Sequence, residues 1–230
     1  MKNPIKITFF LLTLLLLIAC FEPTQNDQFY PIHLNNYWEY ERIIVSSGNV
    51  DSLWKDTLQY TIGDMVTPSH ESSLLLGAQF YPSGSLAHLI YNGEDGLYYN
   101  GFIVNDSKGI HEAQLVYKYP VAVGDSWPVI LYNPKSISPF YYSRGITDYS
   151  CVAVDEPFIT GCDTFSTIVY HNLNKWGING FHQHNFEYFV YGIGKVGSVA
   201  YLSSDSTYQY EQRRAEDFNY SLRLIDYCLY

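Results

Sequence analysis

The sequence predicts an all-β fold: a large antiparallel sheet, curled into a barrel or folded as a sandwich. Three observations predict it. Several segments alternate apolar and polar residues with a period of two, the mark of half-buried strands. Turn dipeptides punctuate them, among them Asn92-Gly93, Asp95-Gly96, Asn100-Gly101 and Asn179-Gly180. The aromatic content, 23 Tyr, 13 Phe and 4 Trp, suits pleated faces that are partly buried. Beyond the first 19 residues no segment carries a 3.6-residue apolar period, so helices are not expected.

The chain opens with a leader. Lys2 and Lys6 supply a basic start, Ile7 to Ala19 an apolar run, and Leu17-Ile18-Ala19-Cys20 a cleavage-type ending. Thirteen apolar-run residues fall short of the roughly 20 that span a bilayer as a helix. The pattern resembles a bacterial lipoprotein signal, in which Cys20 is acylated and becomes the first mature residue. Two or three acyl chains, at about 0.8 kcal/mol per buried methylene, hold a domain stably on a membrane without spanning it. Residues 1–19 are therefore read as the signal peptide and 20–28 as the lipidated cysteine and its polar tether. Phe21, where an inner-membrane lipoprotein carries Asp, points to the outer membrane, on its periplasmic or its surface side.

Residues 29–230 are read as a single all-β domain. Trp38, Tyr40, Arg42 and Ile44 share one face of a first strand. Leu58, Tyr60 and Ile62 alternate with Gln59 and Thr61, and Phe165, Thr167 and Val169 alternate with Ser166, Ile168 and Tyr170. A signature recurs 89 residues apart. Tyr30-Pro31-Ile32-His33-Leu34-Asn35-Asn36-Tyr37-Trp38 aligns without gaps on Tyr119-Pro120-Val121-Ala122-Val123-Gly124-Asp125-Ser126-Trp127. Asn35-Asn36 and Gly124-Asp125 suit a tight turn with positive φ, after which the Trp opens a strand. The repeat suggests two similar halves, about 29–116 and 117–230.

Charge narrows the partners. The net charge of −10 becomes −12 once Lys2 and Lys6 leave with the signal. Such a surface repels nucleic acid and anionic lipid. With Cys20 acylated, Cys151, Cys162 and Cys228 remain. The odd count in an oxidising compartment means at least one free thiol or an intermolecular bond, and Cys151 and Cys162 flank a hairpin across which they could pair.

Chemistry-bearing motifs are few. His182-Gln183-His184 puts two imidazoles on one strand face, with His171 and Glu187 near in sequence; together they would make an open zinc-type site. Gly192-Ile193-Gly194-Lys195-Val196-Gly197 has the form of a dinucleotide loop. The strand-like Ser198-Val199-Ala200-Tyr201-Leu202 follows it, so it reads as a hairpin turn. No cofactor is expected. Neither Gly-x-Ser-x-Gly nor His-Glu-x-x-His occurs. Two loop-like aromatic clusters, Phe140-Tyr141-Tyr142 and Trp176 with Phe181, would form a binding patch if one end of the sheet carries both.

Four stretches resemble one family. They are Tyr30 to Tyr40, Pro120 to Trp127, Thr160-Gly161-Cys162-Asp163-Thr164-Phe165, and Tyr188-Phe189-Val190-Tyr191-Gly192-Ile193-Gly194-Lys195-Val196. Secreted and lipid-anchored proteins of Bacteroidota-type bacteria carry a β-domain with a similar series. It runs from Tyr-Pro-Leu-x-x-Gly-x-x-Trp-x-Tyr to a late Tyr-Phe-x-x-Gly-x-Gly-x-Val. Asn35 stands in place of the first Gly of that series, and Thr160 to Asp163 departs from its Pro-Ala-Gly turn. The resemblance implies an all-β lipoprotein domain and assigns no catalytic residue. The expectation is a lipid-anchored envelope protein with a non-catalytic binding or structural role, its partners the membrane through Cys20 and an envelope glycan or protein. The alternative is a metal-dependent or glycan-directed hydrolase of the envelope.

Overall fold

The computed structural model describes residues 28–33, 35–45, 53–63, 73–81, 84–104, 107–133, 143–174, 182–203 and 218–230. Among the described residues, twelve strands form one antiparallel sheet. They are β1 Tyr37–Val45, β2 Leu53–Gly63, β3 Ser73–Tyr81, β4 Gly84–Gly93, β5 Gly96–Val104, β6 Ser107–Lys118, β7 Ser126–Asn133, β8 Ser143–Ile159, β9 Thr164–Asn174, β10 His182–Val190, β11 Gly194–Ser203 and β12 Phe218–Cys228. Each strand pairs with its successor, except β6 with β7, and β12 returns to pair with β1. The all-β antiparallel expectation holds. The ladder is a ring with one open seam. β6 and β7, at opposite ends of the strand order, are brought face to face across it, where the Trp127 indole donates to the Val116 carbonyl at 3.2 Å.

Alternation decides which face turns inward. Trp38, Tyr40 and Arg42 of β1 lie opposite Tyr60, Leu58 and Asp56 of β2, and Trp38, Tyr40 and Leu58 are buried. The outward face carries Glu39, Glu41, Lys55, Thr57 and Gln59, with Lys55 paired to Glu41. A lipid-facing barrel wall is apolar, so this stretch of sheet has the opposite polarity. Among the described residues no helix is long and apolar enough to cross a membrane.

The two signature copies adopt the same turn. Asn35 has φ 69° and Gly124 φ 95°. Asn36 N donates to His33 O and Asp125 N to Ala122 O, at 3.1 and 3.0 Å. Ile62 bonds the first turn through both its backbone groups, and Cys151 bonds the second in the same way. Trp38 faces Tyr60 as Trp127 faces Tyr149, so the offset of 89 extends into the partner strand. The two indoles differ in what they reach: Trp38 donates to Ile193 O at 2.7 Å, across to the β10–β11 turn.

Both faces of the sheet are covered around β10 to β12. Register shifts interrupt β8 after Cys151, and Asp155 takes φ 58°. Beyond this bend the β8–β9 hairpin reaches over the outer face. Its Phe158 stacks on Tyr188 at 4.0 Å, and Gly161 N donates to Leu224 O at 2.7 Å. A Cβ on Gly197 would stand 2.3 Å from Phe158, so only glycine admits this approach. The Gly-x-Gly-x-x-Gly segment is a turn at 191–193 entering β11, as its strand-like continuation predicts.

Candidate functional site

The candidate site grows from polar residues on the inner face. On β10, Gln183, Asn185 and Glu187 share the face that ends in buried Phe189. Glu187 is 8% exposed. A carboxylate at that depth requires partners that replace water. Tyr117 of β6 donates its hydroxyl to Glu187 Oε2, Lys195 Nζ of β11 approaches the same oxygen at 2.9 Å, and Asn172 Nδ2 of β9 donates to Oε1 at 3.2 Å. Asn185 Nδ2 donates to Asn172 Oδ1 at 2.9 Å and Gln183 Nε2 to Asn185 Oδ1 at 2.7 Å. The result is a polar chain that begins at Gln183, near the edge of the sheet, and ends on an internal ion pair.

Tyrosines surround that ion pair. Burial first, then the charge of Glu187, holds the hydroxyls of Tyr117, Tyr99 and Tyr149 above their ordinary range. These phenols are neutral donors at physiological pH. Tyr220 is pushed up to about 12 by burial, opposed by Arg42 and helped by Glu187. Arg42 forks onto Asp56, with Nε to Oδ1 at 2.7 Å. Arg42 is 7% exposed. The arrangement offers hydroxyl and amide hydrogen bonds and two internally neutralised ion pairs.

The four residues expected as metal ligands do not converge. His171 Nε2 and His184 Nδ1 are 3.1 Å apart, and their rings are nearly parallel. Burial and then His184 pull His171 down to about 4. Glu187 is an odd number of residues from both His182 and His184, so the strand turns it to the other face, among Tyr117, Asn172 and Lys195. His182 keeps a buried Nδ1 with no partner. Among the described residues no three His, Cys, Asp or Glu side chains group as a metal site.

The cysteine expectation is corrected as well. Cys151 and Cys162 are both free thiols. Cys151 is buried opposite Tyr170, while Cys162 lies exposed in the hairpin turn, so the long hairpin arms separate them. Burial raises the Cys151 thiol.

Cys20 and the aromatic candidates Phe140, Tyr141, Tyr142, Trp176 and Phe181 lie outside the described residues. The strands that lead into the two aromatic segments end on one edge of the sheet, at Asn133 and Ser143 and at Asn174 and His182. Sequence reading missed Tyr117, Asn172 and Lys195. A signal for the cluster existed: Gln183, Asn185 and Glu187 alternate onto the same face as Phe189, and Arg42 sits on the face of Trp38 and Tyr40.

No protein-family model matches the chain, and no curated protein matches it. Two solved structures are similar, one a protein of Bacteroides fragilis described as exported and as having a YmcC-like fold, the other a protein of Parabacteroides distasonis described as a lipoprotein. Each is 12% identical, with 88% of this chain and 99% of the other covered. The TM-scores are 0.39 and 0.40, too low to bear on function.

Proposed function

We propose that this chain is a lipid-anchored protein of the cell envelope with a non-catalytic role, as a binding or structural component. One observation carries the non-catalytic half. The Glu187 carboxylate is engaged on both oxygens, by Tyr117 and Lys195 on one and Asn172 on the other. A general acid or base needs a proton or lone pair turned toward substrate. Glu187 instead ties together four strands. The anchored half is supported by the basic start, the short apolar run and the Leu17-Ile18-Ala19-Cys20 ending. Phe21 supports the outer membrane as destination. The partner class is an envelope glycan or protein met at the Phe140 to Tyr142 and Trp176 to Phe181 segments.

Membrane fractionation of wild type and Cys20→Ser tests the anchor: the variant is expected to leave the membrane fraction. An unchanged distribution would sink it. Thermal stability of residues 21–230, measured against envelope glycans and divalent metals, tests the binding role, since a ligand of the native state raises the melting temperature by mass action. A glycan shift lost in Trp176→Ala supports the aromatic segments. A zinc shift lost in His171→Ala would return the hydrolase to consideration.

A further inference from the structure

An antiparallel meander sends alternate connections to opposite ends of its sheet. One end holds the turns at 94–95, 119–125 and 191–193, the residues before β1 and the residues after β12. The chain enters the fold at this end, and its entry is fixed. Phe29 is buried, stacked on Tyr119 at 5.0 Å and on Phe189 at 5.8 Å. Tyr30 N donates to Asn92 Oδ1 at 3.2 Å, and Asn92 Nδ2 donates back to Tyr30 O at 2.6 Å.

From Phe29 the aromatic contacts continue outward. Tyr119 meets Tyr191 at 4.9 Å, and Tyr191 is 39% exposed. Val123, in the same turn as Tyr119, is 58% exposed. Tyr230 is 75% exposed, and its backbone N is held by Asn36 Oδ1 at 2.8 Å. Turn tips usually carry small polar residues, so these large side chains give this end an amphipathic rim.

The tether sets the geometry. Cys20 precedes Gln28 by eight residues, which reach at most about 29 Å when fully extended. A ten-residue strand is about 33 Å long. An extended tether would therefore have to run along nearly the whole length of a strand to turn the far end of the sheet to the bilayer, whereas the entry end needs none of that reach. We propose that the end carrying Val123, Tyr191 and Tyr230 rests on the headgroup layer of the bilayer that holds the Cys20 lipid, an inference that rests on the anchored reading above. Tyrosine suits that layer, with its ring toward the acyl chains and its hydroxyl in water. Glu94 and Asp95 are exposed at the same end, so the matching surface is zwitterionic rather than anionic.

Hydrogen exchange of the full acylated chain tests this. It compares the protein on phosphatidylethanolamine–phosphatidylcholine vesicles with the Cys20→Ser chain free in solution. Amides at 119–125 and 191–193 are expected to exchange several-fold more slowly on vesicles, and those at 182–185 to be unchanged. Val123→Ser/Tyr191→Ser, with the lipid intact, is expected to stay with the vesicles and lose that protection. Protection confined to 182–185, or absent at the turns while the acylated chain remains vesicle-bound, would overturn the orientation and leave the anchor standing. A wild-type chain that does not stay with the vesicles would overturn the anchored reading and the orientation with it.

Discussion

Tyr117 on β6 donates its hydroxyl to Glu187 on β10, although the two strands are not neighbours in the sheet. β6 borders the open seam, so this bond crosses the interior and holds a strand that the ladder leaves unpaired on one side. Tyr170 Oη of β9 adds a second crossing, to Lys118 O at 2.6 Å. The curled shape is thus held across the seam by side chains where backbone pairing stops.

Removing either partner of the first crossing should destabilise the fold. Tyr117→Phe is expected to cost about 1.5–3 kcal/mol, the value of a hydrogen bond to a charged group. Glu187→Gln leaves Lys195 without its counter-charge; because Lys195 retains some solvent, the expected cost is about 2 kcal/mol. The double variant should cost less than the sum, a coupling that urea unfolding of the four proteins reads directly. Strict additivity would mean that the two groups do not act together.

Stability should fall in mild acid because of His171. Its imidazole protonates near 6.5 in the unfolded chain and at about 4 in the fold, because of burial and then His184. The unfolded state therefore binds more protons between these values. The contribution is fully present above pH 6.5 and lost as pH falls toward 4, by about 3 kcal/mol at most. His171→Phe, which keeps a flat ring beside Phe186, should flatten this part of the stability–pH curve. Unfolding midpoints from pH 7 to 4 check it, and parallel curves would refute it.

Two glycines of similar backbone geometry should differ in cost. At Gly124, φ 95°, an added Cβ would meet nothing within 4 Å, whereas at Gly194, φ 92°, it would stand 2.7 Å from the Tyr30 ring. Gly124→Ala is expected to cost about 1–2 kcal/mol for the left-handed conformation alone. Gly194→Ala should add about 1–3 kcal/mol by displacing a buried ring. Chemical denaturation of both variants gives the difference; equal losses would remove Tyr30 from the account.

The thiols should separate by reactivity. Cys162 is exposed and Cys151 buried with a raised pKa. Maleimide is expected to label Cys162 in the folded protein and Cys151 only after unfolding. Peptide mapping reads both positions, and a Cys151–Cys162 linked peptide would contradict the structure.

The strands and their faces were legible because period-two alternation follows directly from which face is buried, as in Trp38, Tyr40, Leu58 and Ile62. The turns at Asn35 and Gly124 were legible because positive φ restricts the residue type. Alternation was less informative in β9, where Thr167, Val169 and Tyr170 are all buried, since the β8–β9 hairpin bends back over the outer face. The Glu187 cluster was hidden for another reason. Its members Tyr117, Asn172, Glu187 and Lys195 come from four strands, and the curl that joins them is long-range. Sequence proximity instead grouped Glu187 with His182 and His184, which strand geometry sends to the opposite face.

The most direct measurement is the mass of the N-terminal peptide of the protein purified from membranes. A lipid-anchored protein yields a peptide that begins at Cys20 and carries acyl chains on that residue. A peptide in which Cys20 keeps a free thiol, whether the leader is retained or cut elsewhere, would contradict the lipid anchor.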